Sequence, residues 1–145
     1  SVAAGLDALG ETHRAAPVLV HDGARPCLSA DEVERLLALR DAPDGALLAV
    51  PVRDTLKRAD AAGRVARTED RTGLWQALTP QLFPAAALRA ALGGAADPGV
   101  TDEASAMERA GHAPHLVEGD PANLKITRPR DLPLAAAVLA SRGGG

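Results

Sequence analysis

Short apolar runs alternate along the chain with segments whose apolar residues recur at helical spacing. Two of the runs, Pro17–Val20 and Ala46–Val50, contain no charged residue and predict buried strands. Ser29 and Glu32 have the spacing of a capping box, so a helix is predicted from Ser29 to about Arg40. Strands that alternate with helices in this way indicate an α/β fold with a mostly parallel sheet.

The same two patterns predict the remaining elements of the domain. Helices are expected over residues 1 to about 11, from Pro84 to about Gly93, from Thr101 or Asp102 to about Ala110, and from Pro129 to Leu139. Two more strands are expected at His115–Val117 and Leu124–Thr127.

Residues 51–73 differ from this pattern, because they are polar and carry charges of both signs. They centre on a turn at Asp60–Gly63, and Arg64–Thr68 shows a weak alternation of polar and apolar side chains. We therefore predict a solvent-exposed hairpin arm. A polar excursion of this length within a compact domain is uncommon and is usually functional.

Composition narrows the possible functions mainly by exclusion. A chain of 145 residues has room for one compact domain. The aromatic share of 1% excludes a base-stacking platform for nucleic acid, and the single cysteine excludes an internal disulfide. A net charge of −3 creates no basic field, so a phosphate ligand must be held by a few local cations. No apolar run reaches the roughly 18 residues of a membrane span, and we expect a cytoplasmic protein.

The candidate chemistry lies where the predicted strands end, which is where α/β sheets bind ligands. Asp22 and Arg25 follow the first strand, and a carboxylate beside an arginine can hold a hard cation against a phosphate. The alternative is that Asp22 caps a turn and pairs with Arg25. Lys125 lies in an otherwise apolar run, so it either reaches the sheet edge or meets an anion. Thr101 is either a helix cap or a hydroxyl that faces an anion. From the residues alone, we infer an α/β domain that binds a phosphorylated small molecule.

Several motifs, taken in order, resemble a known family. They are Val20–Pro26, Pro51–Lys57, Asp70–Trp75, Ala77–Gln81, Thr101–Ser105, and Val117–Gly119 followed by Asn123–Thr127. Together they are similar to the 2-C-methyl-D-erythritol 4-phosphate cytidylyltransferases of the non-mevalonate isoprenoid pathway. The resemblance implies a Rossmann-like nucleotidyltransferase fold of three layers and a homodimer joined through the arm. It also implies the transfer of CMP from CTP to methylerythritol phosphate, which gives CDP-methylerythritol and pyrophosphate.

The resemblance also implies a role for particular residues. Arg71 and Lys125 match the two cations that position methylerythritol phosphate for attack, and Asp22 matches the aspartate on the side of the Mg²⁺ ion. Other substrate-pocket residues of the family match Arg25, Thr55, Thr79 and Thr101, with Thr55 carried by the arm into the partner's site. Ser1 matches a serine that contacts the cytidine part of CTP.

The chain departs from the family in one respect. Family members carry, upstream of the position of Ser1, a Gly-rich loop with an arginine and a lysine that cradle the triphosphate. The resemblance therefore implies that residues 1–145 form a partial nucleotidyltransferase domain without its N-terminal strands, and that this chain is inactive alone. Two other functions stay open: a pentitol phosphate cytidylyltransferase, and a non-catalytic module for phosphate binding or dimerisation.

Overall fold

The computed structural model describes residues 2–9, 13, 15–93 and 101–143. Along the chain the elements are α1 (Val2–Ala8), β1 (Pro17–Val20), α2 (Ala30–Leu37), β2 (Ala46–Pro51), β3 (Lys57–Ala59), β4 (Val65–Thr68), β5 (Trp75–Pro84), α3 (Ala85–Leu92), α4 (Glu103–Arg109), β6 (His115–Glu118) and α5 (Asp131–Arg142). No helix of this part of the chain is both long and apolar enough to cross a membrane.

The main sheet has four strands in the order β1-β5-β2-β6. Strands β1 and β2 both pair antiparallel with β5, whereas β2 and β6 pair in parallel. Three strands therefore run in one direction, as the α/β pattern predicts, and β5 lies antiparallel between two of them. Most strands of the sheet are therefore parallel in direction, as expected, and β5 makes the sheet a mixed one.

Strand β5 is the element that the sequence pattern did not predict. Pro80 interrupts its sequence, and a proline within a run argues against a central strand. The predicted strand at Leu124–Thr127 is wrong, because these residues form a loop. That loop is held at the end of β1 by one backbone hydrogen bond, from the Ile126 N–H to the Ala24 carbonyl at 2.8 Å.

Helices cover both faces of the sheet. Successive residues of a strand point to opposite faces, and Leu47 and Leu48 of β2 accordingly belong to different apolar clusters. The first cluster includes side chains of α1, α3 and α4, and the second includes Leu36 of α2. The predicted three-layer arrangement is therefore confirmed.

The predicted hairpin arm is also confirmed. Strands β3 and β4 pair antiparallel as a separate two-stranded sheet, with Lys57 opposite Thr68. Every residue of both strands is exposed. The arm is thus stabilised by its own backbone pairing and by surface ion pairs such as Arg64–Asp60 at 3.1 Å.

Candidate active site

A cleft of about 350 Å³ opens where β1 ends, between β5, the start of α4 and the loop that carries Lys125. Predicted site residues from four separate parts of the sequence line it, namely Asp22, Arg25, Thr79, Thr101 and Lys125. The sheet brings them together because β5 lies beside β1 and both reach the same edge. The expectation of ligand chemistry beyond the strand ends therefore has a matching cavity.

Asp22 and Lys125 form an ion pair within this cleft. The Lys125 Nζ lies 2.6 Å from Asp22 Oδ2, and the Ala24 N–H donates to Asp22 Oδ1 at 2.9 Å. The hydrogen bond from Lys125, followed by the one from Ala24, lowers the pKa of the Asp22 carboxyl below its ordinary value of 3.8. Asp22 is therefore ionised at neutral pH, and the anion that Lys125 meets is this carboxylate.

Arg25 contacts the loop that carries Lys125. Its Nη1 donates to the Asn123 carbonyl at 2.7 Å, so it supports the Lys125 loop while Lys125 itself pairs with Asp22. Partial burial lowers the pKa of the Arg25 guanidinium, which stays protonated because its ordinary pKa lies far above neutral. Arg25 Nε and Asn123 Oδ1 are buried and have no hydrogen-bond partner among the described residues. They leave one donor and one acceptor unused beside the cleft.

A chain of hydrogen bonds fixes Thr79 and His21 at the end of β1. The Asp22 N–H donates to Thr79 Oγ1 at 3.0 Å, and Thr79 Oγ1 lies 3.0 Å from His21 Nδ1. His21 Nε2 lies 3.0 Å from the Arg25 carbonyl, which can only accept. In the neutral ring the proton is therefore on Nε2, and Nδ1 accepts the Thr79 hydroxyl. His21 acts here as a structural hydrogen-bonding residue.

The start of α4 is tied to β5 by a buried glutamine. Gln81 is 1% exposed; its Nε2 donates to Asp102 Oδ2 and its Oε1 accepts from the Ala104 N–H, both at 2.8 Å. Asp102 is the N-cap and forms a capping box with Ser105. Thr101 therefore stands just outside the helix, with its side chain free of the capping role and facing the cleft.

The other predicted residues lie elsewhere. Thr55 and Arg71 are exposed, near the two ends of the arm segment, and do not line this cleft. Arg71 Nη1 donates to the Arg53 carbonyl. Ser1 lies outside the described residues. The arm pairs with itself and not with the main sheet, which explains why its residues do not converge with the others in one copy of the chain.

The donor set fits a Mg²⁺ ion that is held partly by substrate. Within the described parts of the chain, no group of three His, Cys, Asp or Glu side chains comes together as a metal site. Mg²⁺ characteristically binds through one or two carboxylates together with substrate phosphates. Asp22 supplies one ionised carboxylate of that kind, and its oxygens keep further lone pairs beyond their present contacts.

Helices on both faces of the sheet, with cations and one carboxylate at its strand ends, define a Rossmann-like α/β fold with a candidate phosphate-binding cleft. The family model for IspD, 2-C-methyl-D-erythritol 4-phosphate cytidylyltransferase, matches residues 1–141. The chain belongs to this family.

Relatives and solved structures agree with this assignment. The chain is 61% identical over 137 residues to the 2-C-methyl-D-erythritol 4-phosphate cytidylyltransferase of Ectopseudomonas mendocina (strain ymp), covering 91% of this chain and 58% of that protein. It is 55% identical over 141 residues to the enzyme of that name from Haemophilus influenzae (strain PittGG), covering 96% and 61%. The crystal structure of the Francisella tularensis enzyme superimposes with a TM-score of 0.85 at 35% identity, covering 95% of this chain and 66% of that one. The chain thus spans about three fifths of the length of these curated relatives.

Proposed function

We propose that this chain forms the substrate-binding part of an enzyme that transfers CMP from CTP to 2-C-methyl-D-erythritol 4-phosphate. The products are CDP-methylerythritol and pyrophosphate, in the non-mevalonate route to isoprenoids. The observation that carries the proposal is the meeting of Asp22, Arg25 and Lys125 at one strand-end cleft, in a member of the IspD family.

The proposed reaction needs positioning and charge stabilisation more than covalent catalysis. A phosphate oxygen of methylerythritol phosphate attacks the α-phosphorus of CTP, a new P–O bond forms, and the bond to pyrophosphate breaks. Lys125 Nζ has three donors, so it can hold the attacking phosphate while it keeps its contact with Asp22. Arg25 and the Thr79 and Thr101 hydroxyls stand at the same cleft and orient the substrate.

We also propose that Asp22 holds a Mg²⁺ ion together with substrate phosphates. Such an ion, when bound, offsets the negative charge of the phosphate groups. The proposal rests on the ionised Asp22 carboxylate, since the pKa of that group is lowered.

A homodimer joined through the arm would account for the residues that the cleft lacks. Thr55 and Arg71 are matched to the substrate site but do not line the cleft of their own chain. Both strands of the arm are exposed along their length, and Val65 is 66% exposed. We propose that the arm packs against a second copy and carries Thr55 and Arg71 into the partner's cleft. We also propose that the enzyme works in the cytoplasm, where CTP is available.

Product analysis of a completed enzyme tests the proposal. The completed enzyme is a fusion protein. It joins this chain to the part of the Ectopseudomonas mendocina relative that the chain does not match, with the two parts in the order that they have in that relative. With CTP, Mg²⁺ and methylerythritol phosphate, we expect CDP-methylerythritol and pyrophosphate in equal amounts by ³¹P NMR. The relative's unmatched part alone is the control and should give neither product. A folded completed enzyme that leaves CTP unchanged would contradict the proposal.

A further inference from the structure

Glu32 is a fully buried carboxylate whose two oxygens serve different parts of the structure. It lies in the first turn of α2 with 0% of its surface exposed. Its Oε2 accepts the Ser29 N–H at 3.0 Å and the Ser29 hydroxyl at 2.8 Å, which completes the capping box. The local spacing of Ser29 and Glu32 explains the contacts of Oε2 but not those of Oε1.

The other oxygen, Oε1, faces the loop that precedes Lys125. It accepts the Asp120 N–H at 2.9 Å and a hydrogen bond from Asn123 Nδ2 at 3.4 Å. A Cβ placed on Gly119 would lie only 3.3 Å from Oε1, so the backbone of the loop packs directly on the carboxylate. One buried side chain therefore joins the start of α2 to a segment about 90 residues further along the chain.

Asn123 passes this contact on to the cleft. Its side chain is 0% exposed, and its Nδ2 also donates to the Thr79 carbonyl at 2.9 Å. Its own carbonyl accepts Arg25 Nη1 at 2.7 Å. Lys125 follows two residues later and pairs with Asp22. Both cations of the cleft are thus attached to the loop that Glu32 holds, whereas Glu32 itself does not line the cleft.

We propose that Glu32 is a positioning residue, which fixes the loop from Asp120 to Lys125 and thereby sets where Arg25 and Lys125 meet the substrate phosphate. The substrate part of this inference rests on the proposed function. The role in holding the loop rests on the hydrogen bonds alone. Misplacing reacting groups by about 1 Å can cost on the order of a hundredfold in rate, so a residue outside the cleft can control it.

Glu32→Ala removes the contacts of both carboxylate oxygens. Asn123→Ala removes the side-chain hydrogen bonds of Asn123 to Glu32 and to the Thr79 carbonyl. Ser29→Ala is the matched control, because it weakens the helix cap and leaves the Oε1 contacts in place. In the 145-residue chain we compare the hydrogen-exchange rates of two amides. The Ile126 amide is hydrogen-bonded to the Ala24 carbonyl, and the Leu48 amide lies in β2. Glu32→Ala and Asn123→Ala should speed Ile126 exchange relative to Leu48 by about tenfold or more, since the loop opens locally. Ser29→Ala should leave the ratio unchanged.

Kinetics of the completed enzyme supply the second readout. Glu32→Ala and Asn123→Ala should lower kcat/KM for methylerythritol phosphate by about tenfold to a hundredfold and leave the KM for CTP nearly unchanged. Glu32→Gln keeps one acceptor oxygen, so it should restore part of the loss. An exchange ratio that stays at the wild-type value in Glu32→Ala would overturn the inference, whatever Asn123→Ala shows. So would equal kinetic losses in Ser29→Ala and Glu32→Ala. If Glu32→Ala does not fold, Glu32→Gln decides, because it keeps the size of the side chain and removes one acceptor oxygen: a wild-type exchange ratio would then overturn the inference. A failure of the proposed function would show separately, as a wild-type completed enzyme without product, and the exchange ratio would still test the loop.

Discussion

Lys125→Ala should lower kcat/KM of the completed enzyme for methylerythritol phosphate by about ten- to a hundredfold or more, because a charge-assisted phosphate contact contributes roughly 1.5–3 kcal/mol. A second effect acts in the same direction. Without Lys125 the Asp22 carboxylate loses its partner at 2.6 Å, so Mg²⁺ has to offset more of the negative charge of Asp22 and of the incoming phosphate. Steady-state kinetics with methylerythritol phosphate varied at saturating CTP measure the loss.

Arg40→Ala is a suitable control for the removal of one cation. Arg40 is exposed, pairs only loosely with Asp41 at 3.8 Å and lies outside the cleft, so its loss should leave kcat/KM unchanged. An unchanged kcat/KM in Lys125→Ala would remove Lys125 from the site. A loss of equal size in Arg40→Ala would show that net charge, and not the cleft, is responsible.

Gly45→Ala should lower the free energy of unfolding of the chain by about 3 kcal/mol or more. Gly45 has a φ of +78°, which disfavours any side chain. An added Cβ would also overlap the Phe83 ring and the Leu82 carbonyl oxygen. Leu82 lies opposite Ala46 in the β2–β5 pair, so the carbonyl can move away only if the central sheet is disturbed. Denaturant unfolding measures the change.

Gly111→Ala separates the two causes of this loss. Gly111 follows Ala110, the C-cap of α4, and has a φ of +92°, but an added Cβ would meet nothing within 4 Å. Gly111→Ala should therefore lower the free energy of unfolding only by the cost of the left-handed backbone conformation, about 1–2 kcal/mol. Equal losses in Gly45→Ala and Gly111→Ala would contradict the close packing of β5 against Gly45.

The parts of the fold that depend on local spacing could be predicted from the sequence. The capping box of Ser29 and Glu32, the hairpin arm and the alternation of strands with helices all follow from residues a few positions apart. Strand β5 could not be predicted, because Pro80 and the polar side chains beside it hide a strand whose partners β1 and β2 precede it by about 24 residues or more. Its antiparallel position in the sheet has no local signal.

The candidate site likewise has residues that could be predicted from the sequence and contacts that could not. Asp22 and Arg25 were identifiable because they directly follow an apolar strand, and Lys125 because a lysine interrupts an apolar run. The contacts that hold them were not, since Glu32 meets Asp120 and Asn123 only after the chain has folded. The loop conformation of Leu124–Thr127 has a similar origin: the Lys125 side chain turns to Asp22 and the Ile126 N–H to Ala24.

The measurement that tests the central claim most directly is the substrate preference of the completed enzyme. The ratio of kcat/KM for methylerythritol phosphate to that for ribitol 5-phosphate compares the two phosphorylated acceptors on one protein, with CTP and Mg²⁺ held constant. A preference for methylerythritol phosphate of about a hundredfold or more is predicted, as expected when a polar site must fit one substrate's hydroxyl groups. A preference for ribitol 5-phosphate would contradict the account and identify the cleft as that of a pentitol phosphate cytidylyltransferase.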